Sequence, residues 1–194
     1  MFLSVQRNEP LKIVKDFGAG LRAICFLTSL CPPTSVDAEV LYMRRTDREV
    51  TDPKVIEEII ETAEYCTVSM CDDSQPYGVW MNYGYRDNCF YFHSAGSGHK
   101  LEVLRKNPRV CIQLACDTQV ILSGAPDTWS MQYRSVVATG KAQFVDDPAA
   151  KQEGLDILLH HFAGRGFSFP NEVLENVTII KVPLERISAK ENLL

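Results

Sequence analysis

Positive charge is scarce in this chain: 20 Lys and Arg stand against 25 Asp and Glu among 194 residues, a formal net charge of −5. No run of basic residues is interleaved with aromatics, so there is no stripe on which a nucleic-acid backbone would lie, and nucleic-acid binding is not expected. Histidine is also sparse. The four present are not spaced against cysteine like zinc ligands, and the neighbours His160 and His161 would point about 100° apart on a helix, so no metal site is expected. There is no CxxC. The seven cysteines, Cys25, Cys31, Cys66, Cys71, Cys89, Cys111 and Cys116, are odd in number and scattered, mostly in apolar or alternating contexts where Cys acts as a small hydrophobe, and they read as reduced thiols. Long hydrophobic runs are missing as well. The patch Leu21–Cys31 carries only about ten apolar residues, too few to span a membrane.

What is present is enough apolar residue, 45% of the chain, for one domain with a real core. Residues 1–42 differ from the rest. Lys12, Lys15 and Arg22 precede the apolar patch, but Asp16 interrupts them, Cys31-Pro32-Pro33 ends the patch abruptly, and no small-x-small cleavage site appears. The expectation is an N-terminal extension, disordered or upstream of the native start, ahead of a cytoplasmic domain over 43–194; an export signal is the alternative.

Asp52-Pro53 predicts a helix start, with Asp52 as N-cap and Val55, Ile56, Ile59, Ile60 and Ala63 forming a buried stripe. Tyr65 to Cys71 alternates as a strand. Residues 76–100 are the most site-like stretch: Val79 to Tyr85 and Cys89 to His93 read as two strands joined by a tight turn at Arg86-Asp87-Asn88. A permissive loop, Ser94 to Gly98, then leads into a helix from His99 to Lys106, stopped by Asn107-Pro108. A strand, a Gly/Ser loop and a helix start carrying Lys can seat a phosphate, because amide N–H groups converge there and the helix dipole favours an anion; an ordinary strand-to-helix connection reads equally from this loop alone. Arg109 to Cys116 is a strand, 117–130 a loop with a short strand at most at Val120 to Leu122, and Tyr133 to Val145 a long strand bent at Gly140. Trp129 is placed to cover an edge or reach a partner subunit. Asp147-Pro148 starts a helix with Leu155, Leu158, Leu159 and Phe162 on one face, and Val177–Val182 and Ile187–Lys190 read as closing strands separated at Pro183. Short connections make the strands mostly antiparallel, which suits a small barrel.

From Met43 onward the chain resembles the FMN-binding split-barrel superfamily that includes pyridoxamine 5′-phosphate oxidase, and within it the nitroimidazole-resistance (Nim-type) flavin-nucleotide-binding branch. The resemblance rests on an ordered set: Met43-Arg44-Arg45-Thr46-Asp47-Arg48-Glu49-Val50, Gln75-Pro76-Tyr77, Asn82-Tyr83-Gly84-Tyr85, Tyr91-Phe92-His93-Ser94-Ala95 with Gly98 and Lys100, Asn107-Pro108-Arg109-Val110, and Tyr133-Arg134-Ser135-Val136-Val137 with Gly140-Lys141-Ala142. The fold it implies is mainly β with flanking helices, a six- to seven-stranded antiparallel Greek-key split barrel. It implies an FMN-dependent oxidoreductase acting on a small molecule of nitroaromatic type, built as a homodimer with the flavin between subunits. For the phosphate the expected ligands are Ser94, Gly98, His99 and Lys100, with Arg134 and Ser135 from the later strand, and Val136 beside them is a further expected cofactor-binding residue. For the flavin ring they are Trp80, Met81, Asn82 and Tyr83, although Trp80 and Tyr83 suit core packing equally. His93 matches the Nim-type histidine and is the candidate for a chemical role, against a structural one. The last residues, Ile187 to Leu194, lack the Trp/Arg-rich segment of true pyridoxamine phosphate oxidases, so that substrate is not expected. A flavin- or haem-binding carrier or sensor on the same barrel is the alternative, since fold does not dictate reaction.

Overall fold

Nine strands and four helices make up the computed structural model, which describes residues 43–193; the expectation for 1–42 lies outside the described residues. In chain order they are β1 (Glu49–Val50), α1 (Pro53–Thr62), β2 (Cys66–Asp72), β3 (Gln75–Met81), β4 (Gly84–Arg86), β5 (Cys89–Ala95), α2 (His99–Lys106), β6 (Arg109–Ile121), β7 (Ser130–Lys141), β8 (Gln143–Val145), α3 (Pro148–Ala163), α4 (Asn171–Asn176) and β9 (Val177–Asn192). The strands run in the order β3-β2-β6-β7-β9-β5-β4, with β1 and β8 also on β9. Every pairing is antiparallel. The expected split barrel with flanking helices is therefore what the chain forms, in nine strands rather than the six or seven read from periodicity.

The local signals act as read. Asp52 caps α1, its carboxylate accepting from the Lys54 amide at 2.9 Å, and Asp147 caps α3 through the Ala150 amide at 2.8 Å, each followed by Pro in the first turn. Asp87 and Asn88, at φ 51° and 58°, make the tight turn between β4 and β5. In β2, Cys66, Val68 and Met70 alternate into the core.

Four expectations are corrected by pairing. Val79 to Tyr85 is not one strand: β3 folds back on β2 through Asp73-Ser74, both at positive φ, and the chain breaks at Asn82-Tyr83 before β4 joins β5. β6 continues to Ile121 through an irregularity between Cys116 and Gln119, so the first part of the expected loop, 117–121, is strand. The two closing strands are one. β9 spans 16 residues, lying between β5 and β8 in its first half and along β7 in its second, and Pro183 stands where the β5 ladder ends at Cys89 and the β7 ladder begins at Leu184. A residue without an N–H is tolerated at such a hand-over. The fourth concerns α3, whose inner face is Gly154, Leu155, Ile157 and Leu158, while Phe162 is exposed. The helix is turned because Gly154 lets Ile179 in; a Cβ there would lie 2.7 Å from Ile179 Cγ2.

The core lies inside the barrel, with Phe90, Phe92, Leu101, Ile112, Ile180 and Val182 almost fully buried, closed on one side by Ile59 and Ile60 of α1. Outside β4 and β5, α3 packs so closely that a Cβ on Gly84 would lie 2.6 Å from Leu158 Cα.

Candidate functional site

Strand alternation sorts β5 into two faces. Phe90, Phe92 and Ser94 point inward, and Ser94 is the one buried polar side chain among the described residues. Cys89, Tyr91 and His93 face the other way, where α3 covers the first two and leaves His93 exposed. The exposed loop after Ala95 ends at Gly98, whose φ of 137° favours glycine and whose α-carbon has open space around it. Its carbonyl accepts the first helical bonds of α2, from Leu101 at 3.0 Å and Glu102 at 3.3 Å, so the amides of His99 and Lys100 precede the hydrogen-bonded ladder and are free for a ligand. Leu101, Val103 and Leu104 anchor this helix in the core and fix its N-terminus in place.

Lys100 is half-buried and has no carboxylate partner among the described residues. It lies near His93. Partial desolvation first, and the Lys100 ammonium second, hold the His93 pKa below its ordinary 6.5, so the imidazole is neutral at pH 7. The His99 side chain is engaged elsewhere: its Nε2 is 3.3 Å from Asp72 Oδ2, and its ring meets Tyr77 edge-on at 4.8 Å. Lys106 reaches the same turn, 3.6 Å from Asp72 and 3.7 Å from Asp73. Of His99, therefore, the backbone amide remains at the helix start while the imidazole pins α2 to the β2–β3 turn.

The end of β3 divides by exposure. Trp80 is 72% exposed and packs edge-on against Tyr65, with centroids 5.0 Å apart. Met81 is half-buried, its carbonyl facing Cys66 Sγ at 3.6 Å, and Asn82 is exposed. Tyr83 is fully buried, with its hydroxyl 2.5 Å from the Ile60 carbonyl oxygen and 2.8 Å from that of Ala63, and its ring 4.7 Å from His161. Burial pushes its phenol well above the ordinary range. The Tyr83 side chain thus closes the C-terminus of α1; only its backbone is available to a ligand.

Arg134 on β7 is held by two carboxylates, Nε 2.6 Å from Asp117 Oδ2 and Nη1 2.8 Å from Glu58 Oε1, with 13% of its side chain exposed. These bonds raise its pKa. It borders a polar cavity of about 420 Å³ shared with Thr118, Gln119, Gln132 and Leu193. Ser135 is half-buried and the Val136 side chain is in the core. Arg134 pairs with Cys116, whereas α2 leads into Arg109, which pairs with Lys141 at the other end of the same ladder. At ~3.3 Å per residue the two ends are roughly 20 Å apart. Within one chain, then, Lys100 lies near His93 and just after Gly98 at the start of α2, Ser94 points from the other face of β5 into the core, and Arg134, Ser135 and Val136 lie toward the far end of the β6–β7 ladder from Arg109.

Sequence reasoning missed Glu58, Asp117 and Asp72, the carboxylates that engage Arg134 and His99. Asp117 sits at φ 51° in the β6 irregularity, a conformation with no residue signature around it here, and Glu58 is 76 positions from Arg134. Cys66 is no nucleophile, since burial pushes its thiol up to about 12. No helix of the described residues is long and apolar enough to cross a membrane.

Comparison with known proteins gives three kinds of match. A family model described as pyridoxamine 5′-phosphate oxidase matches residues 52–191. Among solved structures, a protein of Bacteroides thetaiotaomicron described as a candidate 5-nitroimidazole antibiotic resistance protein is 33% identical, with 73% of this chain and 85% of that chain covered and a TM-score of 0.67. Two more share the fold at lower identity. The flavocytochrome Anf3 of Azotobacter vinelandii is 15% identical, covering 79% of this chain and 73% of that one, with a TM-score of 0.69. The FAD and heme binding protein of Mycobacterium smegmatis is 16% identical, covering 75% and 73%, with a TM-score of 0.68. A curated relative, an uncharacterized protein of Rhizobium meliloti (strain 1021), is 29% identical over 85 residues, 44% of this chain. That match spans about half of the relative's length, 49%.

Proposed function

Because the chain belongs to the pyridoxamine 5′-phosphate oxidase family over residues 52–191, we propose that it binds FMN and works in the cytoplasm as a flavin-dependent oxidoreductase on small nitroaromatic compounds. The observation that carries this reading is Lys100, an ammonium with no carboxylate partner among the described residues, beside the free first-turn amides of α2 and the open space at Gly98. That donor set fits a phosphate monoester: a cation and helix-start amides. FMN, when bound, supplies the electron-transfer chemistry. Neutral His93 beside the seat can hold a proton on one ring nitrogen and accept one on the other. Trp80 and Asn82 offer exposed side chains, and Met81 and Tyr83 their backbone, to the ring.

The working form is a homodimer. Arg134, Ser135 and Val136 lie roughly 20 Å along the ladder from Arg109, the residue α2 leads into, and Arg134 is already held by Glu58 and Asp117, which favours a phosphate seat at Lys100 without them in one chain. A two-fold partner would bring them to the other protomer's flavin. The β6–β7 hairpin also leaves Val120, Leu122, Trp129 and Met131 exposed, an apolar strip suited to such a contact. The resemblance to the 5-nitroimidazole resistance protein supports the substrate class. A second reading, a flavin- or haem-binding carrier or sensor without turnover, is favoured by the fold shared with the flavocytochrome and the FAD and heme binding protein.

The visible spectrum of the purified protein, with mass spectrometry of the released ligand, separates flavin from haem. NAD(P)H oxidation in the presence of a nitroimidazole separates enzyme from carrier. A colourless protein that takes up no FMN would overturn both readings, and a monomer with flavin bound at low concentration would overturn the shared site.

A further inference from the structure

A second cavity, of about 430 Å³, opens between β1, the start of α1, the β4–β5 hairpin and β9. Its lining is divided in character. Val50, Ile56, Ile187 and the Tyr85 ring make an apolar floor, and Glu49 and Glu57 stand on the rim, with no Lys, Arg or His among the lining residues. Lys190, cross-strand from Glu49, is not part of the lining. Ile187 is 37% exposed although it lies between packed elements, so the fold leaves apolar surface open there. Tyr85 is half-buried with its ring 5.1 Å from Phe90. Burial and then the nearby Glu57 carboxylate raise its phenol pKa, so the negative field of Glu57 reaches into the cavity. The walls are fixed before any ligand arrives: Val50 pairs with Ala189, Asp52 caps α1, and the Asn88 carbonyl accepts from the Leu184 amide at 3.0 Å.

We propose that this cavity binds a compact organic cation, an aryl- or alkylammonium whose apolar body lies on Ile187 and Tyr85 and whose charge faces Glu49 and Glu57. The volume falls within the range of small-molecule sites, about 300–1,000 Å³. Among the lining residues an anion would meet two carboxylates and no cation. A neutral ligand would cover the carboxylates without offsetting their lost hydration. A cation answers both, and the Tyr85 face adds a cation–π surface. None of these residues belongs to the proposed flavin seat, so the two readings stand separately.

The test is ligand titration of the full chain, read by NMR shifts and thermal melting, with phenethylammonium chloride as the probe and sodium phenylacetate as its anionic counterpart. Phenethylammonium is expected to bind saturably and phenylacetate about tenfold more weakly or not at all. The double variant Glu49→Gln/Glu57→Gln, exposed and tolerant of change, should weaken the cation roughly fivefold or more and erase the discrimination. Ile187→Arg should abolish binding by filling the floor, while the flavin spectrum stays that of the parent. Equal binding of the two probes, no saturation by phenethylammonium at millimolar concentration, or unchanged affinity in the double glutamine variant would each overturn the assignment.

Discussion

Replacing Lys100 by Ala removes one ammonium at the start of α2 and leaves its helix anchored by Leu101, Val103 and Leu104. No carboxylate among the described residues is orphaned, because Lys100 has no such partner. The loss should therefore appear in ligand binding and barely in folding. A charge-assisted hydrogen bond contributes about 1.5–3 kcal/mol, so FMN affinity should fall on the order of ten- to a hundredfold. Riboflavin, which lacks the phosphate, should bind the variant like the parent. Quenching of flavin fluorescence measures both ligands on the same protein. Lys106→Ala is the control: it takes the same charge from the other end of α2, where Lys106 reaches Asp72 and Asp73, and should leave both affinities unchanged. Equal losses for FMN and riboflavin, or none for FMN, would refute the phosphate seat and return the loop to a plain connection.

Lys100→Ala should also let the His93 pKa rise toward 6.5, as followed by NMR titration of the imidazole C–H signals; desolvation, the larger cause of its lowering, would remain. Since the folded-state pKa of His93 is lowered, its contribution to stability is full above about 6.5 and declines as pH falls through the folded value, and the variant should show a narrower decline in urea melts. Gly84→Ala should destabilise the fold by about 1–3 kcal/mol or more, because the new Cβ meets the α3 backbone rather than a side chain that can move, whereas Gly96→Ala, with nothing within 4 Å, should be nearly neutral. Peptide mapping after thiol labelling at about pH 8 should find Cys71 modified and Cys66 untouched until the protein unfolds; early labelling of Cys66 would show its environment to be wetter than the structure describes.

The Arg134 network limits what that residue does in one chain. Its guanidinium is already held by Glu58 and Asp117, tying α1 to the β6 irregularity. An incoming phosphate would have to compete with two carboxylates there, while Lys100 meets no carboxylate among the described residues. That contrast ranks the two cations the sequence offered together.

What the sequence by itself determined is local. Asp52 and Asp147 before proline start helices because a carboxylate and a missing N–H suit the first turn wherever it occurs. Asp87-Asn88 turns because those residues tolerate positive φ, and β2 reads as a strand from its own alternation. The loop from Ser94 through Gly98 to Lys100 belongs to the same class, its parts lying within one short stretch, so the half of the candidate site built there was legible. What the tertiary structure decided depends on partners distant in the chain. β9 is continuous across Pro183 because β5 and β7, approaching from either side, hand it from one ladder to the next. Tyr83 is withdrawn into the core by carbonyls of α1, His99 is turned away by Asp72, and Arg134 is claimed by Glu58 and Asp117. In each case the residue type advertised a hydrogen-bonding capacity, and only the fold, by placing a specific acceptor within about 3 Å, settled which partner would use it.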